Sequence, residues 1–237
     1  MREAFFIDLD TPYPERAISY LLAQGMVSQS LQRRMESYMF AQDILRSYVG
    51  RSMARYREAI RQGKPYGQIE VKENAYGKPE IASSECHFNI SHSGRWLLYM
   101  EAGSELGVDI EETINPEESL WQQVLAPEER RHFLSLDSPK ERSLSFTQFW
   151  TFKEAYVKCL GYGLQIEPRD ICFNLQGQSL DNPELTCRPL EGPEGYCSAC
   201  CSLDQTLVKV EVWDIAHFFR VITQNLHSER LLANYTF

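Results

Sequence analysis

The chain has 237 residues, 43% of them hydrophobic, and 24 lysines and arginines against 33 aspartates and glutamates give it a formal charge of −9. That length buries a sizeable core as one large domain or two small ones without disulfide or metal staples. An acidic total without basic blocks argues against nucleic acid as the principal partner, and no apolar run approaches the roughly 18 residues of a membrane span. The seven cysteines are odd in number and irregularly spaced, and Asp8 and Asp10 interrupt any secretory signal, so the reading is a cytoplasmic chain with reduced thiols.

The charge is uneven. Between Leu31 and Lys64 eight bases (Arg33, Arg34, Arg46, Arg51, Arg55, Arg57, Arg61, Lys64) stand against three acids, whereas between Ser104 and Arg142 ten acids stand against four bases. Apolar residues at Leu31, Met35, Tyr38, Leu45, Tyr48 and Val49 predict a long amphipathic helix capped by Ser30 and stopped at Gly50, then a shorter one over Ser52 to Ile60. A turn at Tyr76-Gly77-Lys78-Pro79 leads to a predicted hairpin: a strand His87 to Ile90, a tight turn Ser91-His92-Ser93-Gly94, and a strand Trp96 to Ala102. Past Gly103, the alternation in Leu106 to Glu111 puts Val108 and Ile110 on one strand face and Asp109 and Glu111 on the other.

Asn115-Pro116, Ala126-Pro127 and Ser138-Pro139 read as helix entries, the last opening a helix that runs to Leu160 and stops at Gly161. Strands at Ile171 to Leu175, Tyr196 to Ser202 and Leu207 to Trp213 and a closing helix to about Leu226 complete an α+β (α/β layered) chain with a junction near Gly103. In Cys197-Ser198-Ala199-Cys200-Cys201 a single Cys-x-x-Cys supplies two of the four ligands a zinc site needs, so the segment reads as a buried strand.

Two carboxylates side by side on a strand repel unless a cation neutralises them, and hard oxygen ligands suit Mg²⁺. Taken alone, Asp109 and Glu111 read as a solvated strand face, and Glu154 and Lys158, at i and i+4, as an exposed helix pair. Should the helix pack beside the strand, three acids and a lysine become a device for phosphoryl chemistry, clamping a metal and balancing charge on phosphate oxygens.

These residues resemble the phosphopantetheinyl transferases of the surfactin-synthetase-activating (Sfp) type. The resemblance rests on Tyr76-Gly77-Lys78-Pro79, on Phe88-Asn89-Ile90-Ser91-His92-Ser93, on Gly107-Val108-Asp109-Ile110-Glu111, and on Trp150-Thr151-Phe152-Lys153-Glu154-Ala155-Tyr156-Val157-Lys158 followed by Gly161-Tyr162-Gly163-Leu164. It implies the 4′-phosphopantetheinyl transferase fold: two similar subdomains about a pseudo-twofold axis, 1–103 and 104–237, with a possible extension after about 204, in a pseudo-dimeric monomer.

The resemblance further implies Mg²⁺ on Asp109, Glu111 and Glu154, with Lys158 on the pyrophosphate of coenzyme A, and Lys78, Ser91 and His92 holding the nucleotide part, His92 on the 3′-phosphate side. The implied reaction moves the phosphopantetheine arm of coenzyme A to a serine of an acyl or peptidyl carrier protein, releases 3′,5′-ADP, and could serve fatty acid, polyketide or nonribosomal peptide synthesis. Glu154 is the first candidate for the base and Glu129 the second. The family's arginine followed by a small hydroxyl residue in the first long helix aligns with Ser37 and Tyr38, leaving Arg33, Arg34 or Arg46 to compensate, and the basic stretch Leu31 to Lys64 offers itself to an acidic carrier helix. A metal-dependent phosphohydrolase acting on coenzyme A and a non-catalytic coenzyme A-binding protein are the competing readings.

Overall fold

The structure is a computed structural model and describes residues 2–35, 40–74, 77–82, 84–161, 166–203 and 206–233, with side chains save at 30, 34 and 225–233. Ser37, Tyr38, Tyr76 and the Tyr162-Gly163-Leu164 end of the last sequence motif lie outside the described residues.

In chain order the elements are β1 (Arg2–Asp8), α1 (Pro14–Ala23), α2 (Gln29–Met35), α3 (Ala41–Gln62), β2 (Lys72–Glu73), β3 (Pro79–Glu80), β4 (His87–Ser93), β5 (Trp96–Ala102) and β6 (Leu106–Glu112). There follow α4 (Glu118–Val124), α5 (Pro127–Ser135), α6 (Pro139–Leu160), β7 (Thr186–Pro189), β8 (Tyr196–Ser202), β9 (Val208–Asp214) and α7 (Ile215–Ala233). One sheet has the order β4-β5-β1-β9 and a second the order β6-β8-β7.

Alternation along the strands explains the layering. Phe5, Ile7, Leu97 and Tyr99 turn to one face of the first sheet and pack with residues of α1, α3 and α7, among them Leu21, Leu45, Val49 and Phe218. The intervening Ala4, Phe6, Leu98 and Met100 form a shared core with Val108 and Ile110 of the second sheet. Beyond that sheet, Ala199 and Cys201 pack against Phe149, Phe152 and Ala155 of α6. The chain is thus an α+β stack in which two sheets lie back to back between helices.

Several expectations change. The helix does not stop at Gly50. α3 runs unbroken to Gln62, because at Gly50 it presses on β4 so closely that an added Cβ would lie 3.0 Å from Ile90 Cγ2. Ser91-His92-Ser93 is strand, with the turn one step later at Gly94-Arg95 and His92 opposite Leu97 in the ladder. Ile171 to Leu175 contributes only the isolated bridge Phe173 to Ser179, and the strand beside β8 is β7. The segment after about 204 returns to the first sheet: β9 lies parallel to β1, with Phe6 opposite Val212, and Phe218 and Ile222 of α7 enter the first core.

Candidate active site

The site lies on the seam where β4, an edge of the first sheet, runs beside β6, an edge of the second. The strands are joined through side chains. Asn89 Oδ1 accepts the Val108 N–H (2.8 Å), Ser91 Oγ donates to Asp109 Oδ1 (2.8 Å), and Ser93 Oγ donates to Glu111 Oε2 (2.9 Å) while accepting the Glu112 N–H (3.1 Å). The polar alternation Asn89, Ser91, Ser93 on β4 therefore matches the acidic alternation Asp109, Glu111 on β6.

Gly107 brings α6 to the same seam. A Cβ there would lie 2.0 Å from the Ala155 carbonyl oxygen and 2.3 Å from the Cys159 nitrogen, so only glycine permits this approach of helix to strand. α6 itself starts at Pro139 and ends at Gly161, whose φ of 72° is left-handed. At this distance Lys158 Nζ donates to Asp109 Oδ1 (2.6 Å) and to Ser91 Oγ (3.0 Å). Asp109 is almost fully buried, with Oδ2 unpartnered, whereas Lys158 keeps 29% exposure. Trp150, two turns earlier, directs its indole N–H at Glu111 Oε1 (3.4 Å).

The three acids are coupled electrostatically. Burial raises the Glu111 pKa, and Asp109 raises it further. Burial likewise raises the Glu154 pKa; Lys158 opposes the rise, and Asp109 and Glu111 add to it. The excess of negative charge and the orphaned Asp109 oxygen fit a hard divalent cation. The carboxylates are not preset around one point, however: among the described residues no three His, Cys, Asp or Glu side chains stand as a ready metal shell. Lys158 holds Asp109 Oδ1, Ser93 and Trp150 hold the two Glu111 oxygens, and Asp109 Oδ2 is left open to such an ion.

His92 alternates to the other side of β4, toward a cavity of about 360 Å³ lined also by Arg46, Ser47, Arg51 and Pro79. Crowding by protein lowers the His92 pKa, and Arg46 and Lys158 lower it further, which favours a neutral ring. Arg46 bonds Asp43 and the Gly94 carbonyl, and Arg51 bonds Ser47 and Glu73. Arg46-Ser47 is an arginine followed by a small hydroxyl residue on a long helix, beside His92. Ser37 and Tyr38, to which the sequence alignment assigned that pair, lie outside the described residues.

Glu129 belongs to a separate cluster: its oxygens accept the Ala126 N–H (2.8 Å) and the Phe173 N–H (2.9 Å), and Lys153 Nζ is 2.7 Å away, both side chains being essentially buried. Those partners leave it spent as a structural anchor for α5 and α6 rather than poised as a base. Lys78 turns its ammonium to Glu105, not to the His92 cavity. Within the basic stretch Arg55 serves the Ile69, Met26 and Tyr66 carbonyls and Arg57 and Arg61 serve Glu3, Glu58 and Glu101, whereas Arg33 and Lys64 are exposed.

Two family models match the chain: "4′-phosphopantetheinyl transferase, N-terminal" over residues 13–103 and "4′-phosphopantetheinyl transferase superfamily" over residues 105–207. The 4′-phosphopantetheinyl transferase gsp of Aneurinibacillus migulanus is 27% identical across 92% of this chain and 95% of its own length. The 4′-phosphopantetheinyl transferase Sfp of Bacillus subtilis is 26% identical across 75% of this chain and 83% of its own. The L-aminoadipate-semialdehyde dehydrogenase-phosphopantetheinyl transferase of Mus musculus is 26% identical across 76% of this chain, which spans 64% of that relative. A crystal structure of Thermotoga maritima holo-[acyl-carrier-protein] synthase overlaps 41% of this chain and 61% of that one at 20% identity, with a TM-score of 0.33. Since the two models tile both sides of the seam from residue 13 to residue 207 and the relatives share one activity, the chain belongs to the 4′-phosphopantetheinyl transferase superfamily.

Proposed function

We propose that the chain transfers the 4′-phosphopantetheine arm of coenzyme A to a serine of an acyl or peptidyl carrier protein, with Asp109, Glu111 and Glu154 as holders of Mg²⁺. The observation that carries the reading is the seam contact itself: Lys158 and Ser91 share one oxygen of Asp109 while the other lacks a partner. When bound, Mg²⁺ would neutralise charge on phosphate oxygens.

The chain's own groups supply the rest. His92, Arg46 and Arg51 offer donors for the phosphorylated nucleotide, and the Lys158 ammonium balances charge growing on the pyrophosphate. The serine oxygen bonds to the β-phosphorus, the bond from that phosphorus to the bridging oxygen breaks, and 3′,5′-ADP leaves. The serine proton passes to Glu154 as the base. Both walls of the seam come from one chain, which supports a monomeric enzyme. No helix among the described residues is long and apolar enough to cross a membrane, and cytoplasmic action on a carrier protein accords with that.

The test is the intact mass of an apo-acyl carrier protein incubated with the chain, Mg²⁺ and coenzyme A. A gain of one phosphopantetheine arm is expected, lost in D109A and E154A. An unmodified carrier, or full modification by D109A, refutes the proposal, and free phosphopantetheine without carrier would mark a hydrolase.

A further inference from the structure

The end of β4 is fixed from three sides. Ser93 pairs with Trp96 across the β4–β5 ladder, and Arg46 donates to the Gly94 carbonyl in the turn that follows. Gly94, at a φ of 53°, lies so close to the second sheet that an added Cβ would collide with the Tyr196 hydroxyl. From that fixed point the Ser93 hydroxyl grips the end of β6 twice: it donates to Glu111 Oε2 (2.9 Å) and accepts the Glu112 N–H (3.1 Å). The second bond orients the first, because a hydroxyl whose lone pair is engaged by an N–H turns its own proton to the remaining acceptor.

Glu111 has more need of such a grip than its neighbour on the strand. Asp109 is short, almost fully buried, and held by Ser91 and Lys158 on one oxygen. Glu111 is longer by one rotatable bond and only partly buried, and its other oxygen receives just the longer contact from the Trp150 indole (3.4 Å). A glutamate that must be immobilised when an ion arrives loses rotamer freedom at that moment and weakens the site. One already held has lost that freedom on folding.

We propose that Ser93 is a positioning residue for Glu111, a hydroxyl that presets this carboxylate for a divalent cation. The proposal rests on the transferase reading for the cation and on the seam geometry for the role of the hydroxyl. Mn²⁺ is the probe, since it takes the same hard oxygen ligands as Mg²⁺ and its free form is read by paramagnetic resonance. In the full chain with coenzyme A present, the Mn²⁺ dissociation constant should rise about 10–100-fold in S93A, the scale of losing an outer partner of a metal ligand. S93T, which keeps the hydroxyl, should return it to within about threefold of the unaltered value. In an E111A background, adding S93A should change the constant by less than about twofold, because the residue through which Ser93 acts is gone. Carrier modification by S93A should recover as Mg²⁺ is raised.

An S93A dissociation constant within about twofold of the unaltered one overturns the proposal, and so does an equal weakening by S93A when Glu111 is already removed, or an S93T as weak as S93A. Should the unaltered chain bind Mn²⁺ and modify no carrier, the transferase reading fails and the binding measurements still decide the role of Ser93. Should it modify carrier and bind no Mn²⁺, the transferase reading stands and this proposal falls. If S93A does not fold, S93V against S93T carries the same comparison, since the two differ chiefly in the hydroxyl.

Discussion

Replacing Gly107 by alanine puts the helix-to-strand approach to a direct test. The new Cβ would lie 2.0 Å from the Ala155 carbonyl oxygen and 2.9 Å from the Lys158 carbonyl carbon, both backbone atoms that cannot rotate away. Restoring an ordinary 3.4 Å contact requires α6 to withdraw by about 1.4 Å. A withdrawal of that size, directed away from β6, stretches the 2.6 Å Lys158 to Asp109 contact to about 4 Å, beyond hydrogen-bond reach. Transfer should then fall about 100-fold, since the ammonium no longer stands where phosphate charge develops. Overpacking should also cost about 1–3 kcal/mol, which lowers the melting temperature by about 2–12 °C in a chain of this size. Rates of carrier modification by intact mass and thermal melting read the two effects. If G107A modifies carrier within twofold of the unaltered rate and melts at the same temperature, the crossing does not set the site and the reasoning fails.

Two other outcomes follow from buried charge. Burial raises the Glu154 pKa above the ordinary carboxylate value of 4.5, so the folded chain binds that proton more tightly than the unfolded chain, and stability is lost as pH rises from the unfolded value through the folded one. Without divalent cation, E154Q should therefore melt above the unaltered chain at pH 7 and equal to it well below pH 4.5, while added Mg²⁺ should raise only the melting point of the unaltered chain; E154Q melting lower at pH 7 would contradict this. K153M strands the buried Glu129 carboxylate and should cost about 3–5 kcal/mol in urea unfolding; a cost below about 1 kcal/mol would show that the pair is not a structural anchor.

What the sequence revealed and what it hid have physical reasons. α6 was legible because Pro139 and Gly161 punctuate it and the helix caps obey local rules. The acidic strand was legible because alternation is a local property. Gly50 misled because a glycine after a helical stretch reads as a stop, while here the missing side chain lets α3 pass close to Ile90, a contact set by tertiary packing. Ser91 and Ser93 looked like turn residues, since nothing local announces that a second sheet supplies Asp109 and Glu111 as their partners. Glu129 carried a carboxylate at a suggestive position, but its burial against Lys153 depends on how α5 meets α6. Arg46 was named among several basic residues; only the fold separates those turned to His92 from those consumed by internal carbonyls and acids.

The pairing of β9 with β1 ties the last part of the chain to its beginning. During synthesis the first sheet would wait with one flank of β1 bare until β9 leaves the ribosome, even though β4 and β5 are long since made. A fragment cut after residue 207 would keep every acid of the seam and yet expose a sticky strand flank. Such a fragment should associate with itself through that flank.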